Sequence, residues 1–151
     1  MVQEGRKAPA FTAVTDEGSK VSLKEYAGQI VVLYFYPKDM TPGCTTEAQC
    51  FRDDLPNFTK QGVVVLGCSP DSVERHVKFK EKYNLNFPLL SDPEHVIAEK
   101  YGVWQEKKMY GKTFMGIVRS TFIIDANGKI ARIFSKVKVK DHTQAVLDAL
   151  S

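Results

Sequence analysis

Residues 41–50 read TPGCTTEAQC, two cysteines six positions apart just beyond the apolar run IVVLYFYP. A cysteine in the first turn of a helix has its sulfur near unpaired backbone N–H groups and the positive end of the dipole. Both favour thiolate, the nucleophilic form, over thiol. Thr41-Pro42 reads as such a helix start, threonine as cap and proline preset in the first turn. Cys44 is therefore a candidate nucleophile. The Thr41 hydroxyl can serve as an ordinary cap, accept from the sulfur or donate to a bound oxygen. Pro37 ends the preceding strand. Cys68 follows a second apolar run, VVVLG. No CxxC occurs, which argues against a dithiol–disulfide oxidoreductase. His76, His95 and His142 show no ligand spacing with one another or with cysteine, so no metal site is expected.

The elements that must position these residues follow from periodicity. Ile30–Tyr36 is a β-branched and aromatic run, the pattern of a strand buried on both faces. A helix from Thr41-Pro42 to about Lys60 carries Cys44 near its start, and Pro56 inside it predicts a kink or break. Val63–Cys68 is a second buried strand. Asp71 and Glu74 suggest a capping box for a helix over Ser72–Tyr83. Phe87–Leu90 reads as a third strand and Pro93–Tyr101 as a short helix. Residues 103–116, VWQEKKMYGKTFMG, read as a loop or short edge strand, with Trp104 and Tyr110 packing at the outer side of the site. Thr121–Ile124 and Lys129–Ser135 flank DANG, a hairpin signal. VKVK at 137–140 reads as a solvated edge, and Asp141 as the cap of a last helix. The opening 24 or so residues suggest a hairpin or loop-rich entry. The pattern is α/β: a mixed central sheet flanked by helices, parallel at its centre with an antiparallel hairpin. Chemistry in such sheets collects beyond the carboxyl ends of the strands, where Cys44 falls.

The chain has 151 residues, 43% hydrophobic, with net charge +3. That suits a single domain over 1–151 with a sizeable core. Charges of both signs are interspersed, which argues against nucleic-acid binding. No apolar run reaches membrane-span length and no leader-like stretch opens the chain, so a cytoplasmic protein with no membrane attachment is expected. Three cysteines do not make a secreted disulfide scaffold.

The stretch PKDMTPGC holds a Pro-x-x-x-Thr-x-x-Cys pattern at a strand-to-helix junction, and it resembles the active-site motif of the peroxiredoxins. FRDD, SPDS, FPLLSD, YGVW, EKKMYGKTFMGIVRSTFIID and KVKVKDH extend the likeness along nearly the whole chain, to the PrxQ or bacterioferritin comigratory subfamily. The resemblance implies a thioredoxin-like fold and a peroxidase acting on hydrogen peroxide and organic hydroperoxides. It also implies thioredoxin or a similar dithiol as electron source, and no metal, haem or flavin cofactor. Cys44 would attack the peroxide and become a sulfenic acid. Thr41, Pro37, Arg119 and the backbone N–H groups of Gly43 and Cys44 would form the site. Glu47 fits the motif's TTEA run, and a solvated helix carboxylate explains it as well. The subfamily leans to a monomer, with a weak dimer as the alternative.

Many members of the subfamily carry a resolving cysteine five residues beyond the peroxidatic one. Here Gln49 holds that place and Cys50 follows it. Residues six apart in a helix are separated by about 9 Å along the axis. A disulfide needs Cα atoms within about 7 Å, so a Cys44–Cys50 bridge requires unwinding. Three routes stay open: resolution by Cys50, resolution by Cys68, or reduction by an external thiol. A non-catalytic peroxide sensor or holdase is the reading from a different class.

Overall fold

The computed structural model describes residues 2–150. The opening segment forms a hairpin, β1 (Thr12–Thr15) with β2 (Lys20–Ser22), followed by a 3-10 turn at Leu23–Tyr26. Then come β3 (Ile30–Phe35), α1 (Pro42–Lys60), β4 (Val63–Ser69), α2 (Val73–Tyr83), β5 (Leu89–Ser91) and α3 (Val96–Lys100). The chain ends with β6 (Trp104–Met109), β7 (Lys112–Ile117), β8 (Ser120–Ile124), β9 (Ile130–Phe134) and α4 (His142–Leu150).

Seven strands form one sheet in the order β2-β1-β5-β4-β3-β8-β9. β5, β4 and β3 run parallel, and the remaining pairings are antiparallel. The uninterrupted apolar runs of β3 and β4 are explained by burial on both faces. Alternate residues feed two cores, one with Leu33, Phe35 and Cys68, the other with Val32, Tyr34 and Cys44. The second core is closed by α1, whose buried residues Cys44, Glu47, Ala48, Phe51 and Phe58 recur at helical spacing.

Several local expectations need correction. α1 runs through Pro56 as one helix. Proline removes the donor that would reach the Arg52 carbonyl, and the Asn86 side-chain amide donates to that carbonyl instead, at 3.2 Å. The cap of α2 is Ser72, whose hydroxyl accepts from the Arg75 N–H, while the Asp71 carboxylate is taken up by Ser69 and by the Asp39 N–H. Residues 104–117 are a regular two-stranded hairpin, β6 with β7, separate from the main sheet. Its Tyr110-Gly111 turn has positive φ at both residues (53° and 77°), the twist a two-residue hairpin needs. Tyr110 at this tip is 97% exposed, so it packs against nothing in the site, whereas Trp104 stacks on His95. Asp141 holds a left-handed φ of 59°, and its carbonyl accepts from Ala145 N–H at the head of α4. VKVK keeps its in-out alternation, although outside any strand.

Candidate active site

Topology brings the site together from three places. β3 ends at Phe35, and α1 begins seven residues later, so its first turn lies beyond the carboxyl end of the strand. β8 pairs antiparallel with β3, Ser120 opposite Phe35, which sets Arg119 beside that same end. The carbonyl of Arg119 accepts from Val137 N–H (3.0 Å), pinning this segment to the VKVK stretch.

Cys44 is buried at 2% exposure, in the first turn of α1. Thr41 stands at the N-cap position, but its hydroxyl donates to the Lys38 carbonyl (2.7 Å) and makes no capping hydrogen bond. No side chain therefore covers the first-turn N–H groups, Gly43 and Cys44 included. Arg119 Nη2 donates to Cys44 Sγ at 3.3 Å, and Arg119 Nη1 to Glu47 Oε1 at 2.5 Å. A Cβ at Gly43 would stand 3.3 Å from Arg119 Nη2, so a side chain there would press on the guanidinium.

Glu47 is no solvated carboxylate. It is 1% exposed, and burial pushes its carboxyl up to about 7 although the Arg119 guanidinium pulls the other way. Oε2 has no hydrogen-bond partner, and among the described residues the only other such buried side-chain atom is the hydroxyl of Tyr34. Burial lowers the Arg119 pKa, but Glu47 and Cys44 outweigh it and the guanidinium ends higher than usual. Lys107 in β6 donates to the Ile117 carbonyl, and burial followed by Arg119 pulls its pKa down.

The other two thiols differ in kind. Cys68 is fully buried in the opposite core from Cys44, level with Phe35, and burial followed by Asp92 pushes its thiol well up. Cys50 is half-buried, raised by burial and then by Asp53 and Asp54. It borders an open groove of about 520 Å³ with Pro42, Gly43, Thr46 and Val139 to Asp141. All three cysteines are free thiols.

Residues missed by sequence reasoning lie beneath the loop Pro37–Thr41. Asp39 (1% exposed) contacts His76 (0%), and Asp71 is close by. The three carboxylate and imidazole groups approach like metal ligands, but hydrogen bonds already engage them: Asp39 Oδ2 meets His76 Nδ1 at 2.6 Å, and Asp71 Oδ1 accepts from Arg75. The signal was present, an acid within PKDM and a histidine on the apolar face of α2, but nothing local joins them.

Comparison with known proteins places this geometry. Residues 5–133 match the AhpC/TSA family. The chain belongs to the AhpC/TSA family, in its peroxiredoxin Bcp and PrxQ branch. It is 53% identical to peroxiredoxin Bcp of Bacillus subtilis (strain 168) over 149 residues, 99% of this chain and 95% of that protein. Identity to peroxiredoxin Bcp of Escherichia coli (strain K12) is 46%, covering 99% and 96%. Among solved structures it is similar to bacterioferritin comigratory protein of Xanthomonas campestris, studied for alkyl peroxide reduction activity (TM-score 0.92, 41% identity, covering 98% and 97%). A cysteine-to-serine mutant of Xylella fastidiosa PrxQ gives TM-score 0.94 at 36% identity, covering 99% and 96%. These likenesses make this peroxiredoxin's fold thioredoxin-like and the chain a peroxidase.

Proposed function

We propose that Cys44 is the peroxidatic cysteine of this peroxiredoxin, attacking hydrogen peroxide and alkyl hydroperoxides. The observation that carries this reading is the Arg119 guanidinium at 3.3 Å from a buried sulfur at a helix N-terminus. The thiolate attacks the terminal peroxide oxygen. A sulfur–oxygen bond forms, the oxygen–oxygen bond breaks, and the electron pair leaves on the second oxygen, which takes up a proton to become water or alcohol. Arg119 and the N–H groups of Gly43 and Cys44 offer donors where charge develops on oxygen. In this reading Pro37 would shape the pocket wall, and the Thr41 hydroxyl, whose proton goes to the Lys38 carbonyl, would be left to act as an acceptor. No metal or flavin is required, because the sulfur oxidation ladder carries the electrons.

Cys50 is the resolving candidate that the geometry favours over Cys68. It stands in the same helix and shares a groove with Gly43, whereas Cys68 lies across the sheet. A Cys44–Cys50 disulfide would then be reduced by thioredoxin or a similar dithiol. Among the described residues no helix is long and apolar enough to cross a membrane.

Peroxide consumption with thioredoxin, its reductase and NADPH tests the reading. Many turnovers are expected from the unsubstituted protein and none from Cys44→Ser. Unchanged turnover in Cys44→Ser would overturn the assignment, and one equivalent consumed followed by silence would favour a sensor.

A further inference from the structure

We propose that the buried pair Asp39–His76 is a latch. It holds Pro37–Thr41, and with it the first turn of α1, in the peroxide-binding arrangement, and its release governs how readily Cys44 leaves to meet Cys50. The proposal rests on Cys50 being the resolving cysteine. Asp39 and His76 are positioning residues, since neither touches Cys44 or the peroxide.

Every polar atom of Asp39 is engaged. Oδ1 accepts from the Tyr36 hydroxyl (2.6 Å), and Oδ2 meets His76 Nδ1 (2.6 Å). Its N–H donates to Asp71 Oδ2 (2.7 Å), and its carbonyl accepts from Arg75 Nη2 (3.2 Å). His76 is held at its other end, because Nε2 faces the Leu90 carbonyl (2.9 Å) and must donate to it. Asp71 is fixed in turn by the Ser69 hydroxyl (2.7 Å) and by Arg75 Nε (2.8 Å). One loop residue is thus gripped by residues just beyond β3 and β4 and by α2, whose His76 is in turn held by β5. The charged or titratable groups around it are His76, Asp71, Arg75 and Tyr36. Such a network is close to all-or-none, since removing one partner leaves the others buried and unpaired.

The residue after the grip is under strain. Met40 holds φ 70°, a left-handed conformation that a methionine keeps only where its surroundings impose it. The peptide leading into Met40 is the one whose oxygen Arg75 holds. Thr41, the N-cap of α1, comes next. A clamped residue, a strained residue and the catalytic helix therefore follow in direct succession. Opening the clamp lets Met40 relax and frees the start of α1, where a Cys44–Cys50 bridge requires unwinding. The latch therefore biases a two-state equilibrium between a peroxide-binding form and a disulfide-forming form.

Three quantities test this: the rate of Cys44 sulfenic acid formation, the rate of Cys44–Cys50 disulfide formation, and the sulfinic fraction at fixed peroxide. Asp39→Asn is expected to slow the first about tenfold while speeding the second, lowering the sulfinic fraction. Met40→Gly keeps the grip and removes the strain, so disulfide formation slows and the sulfinic fraction rises. His76→Gln repeats the first test should Asp39→Asn fail to fold. If both rates fall together in Asp39→Asn, or if Met40→Gly shifts the partition the same way as Asp39→Asn, the latch is wrong. A bridge whose rate none of these variants moves removes the latch alone. No bridge in the unsubstituted protein removes the Cys50 assignment and the latch with it.

Discussion

The guanidinium of Arg119 carries one positive charge and faces two groups able to become anions, the Cys44 sulfur at 3.3 Å and the Glu47 carboxyl at 2.5 Å. One cation balances one buried anion, so a charge on sulfur and a charge on Glu47 compete for it. Removing Arg119 should be severe: Arg119→Ala is expected to lower the second-order rate with peroxide by about 10²–10³, the usual loss for one such donor, measured by competition kinetics. Glu47 also leaves a mark on stability. Its native pKa of about 7 lies above the ordinary 4.5, so its contribution is full below pH 4.5 and lost as pH rises through 7. His142 does the reverse. Burial, then Arg119, pull it from 6.5 to about 4, so its contribution is present above 6.5 and lost as pH falls through 4. The two slopes oppose each other between 4.5 and 6.5. In urea titrations at several pH values, Glu47→Gln should unmask stability rising with pH, and His142→Gln stability falling with pH. Parallel curves for the two variants would contradict this account. Cys44, Thr41 and Pro37 were legible because their spacing is a local pattern, whereas Arg119, 75 positions from Cys44, was legible only through the resemblance of GIVRSTFIID to the family. Glu47 was not, since the partner that explains its burial lies 72 positions away.

The proposed cycle asks helix α1 to be stable enough to hold Cys44 and open enough at its start to release it. Its anchor is Phe51, fully buried and stacked on Tyr34 (centroids 4.5 Å, planes 19° apart), with Phe58, Phe87 and His142 around it. Phe51→Ala should cost about 3–5 kcal/mol, read from denaturant unfolding. Near the other end, the Asn86 amide replaces the backbone bond that Pro56 removes. Asn86→Ala should cost about 0.5–1.5 kcal/mol, and less in a Pro56→Ala background, where the helical N–H returns. Equal costs in both backgrounds would show that the amide is not a substitute. This explains why the sequence predicted a break that the fold lacks. The proline is local, and its remedy comes from Asn86, 34 positions from the Arg52 carbonyl it serves. The β6–β7 hairpin was obscured for a different reason. It packs outside the main sheet with much of both faces exposed, so burial imposed no simple alternation on it.

At the scale of the whole molecule, strand order does the assembly. With β3 between β4 and β8, the start of α1, the end of β4 and the residue before β8 converge at one sheet edge. The α/β class and the parallel centre were legible because buried strands announce themselves as continuous apolar runs. The faces on which the cysteines fall were not legible, because an alternation among equally apolar residues carries no label. That alternation sends Cys68 into one core, while α1 carries Cys44 in the other, which is why Cys50, in the same helix as Cys44, is the proposed partner. The most direct test is peptide mass mapping after one equivalent of peroxide, with a sulfenic acid trap in a parallel sample. The trap should mark Cys44, and the untrapped sample should hold a Cys44–Cys50 disulfide. Trapping at Cys50 or Cys68 with Cys44 unmodified would contradict the account at its centre.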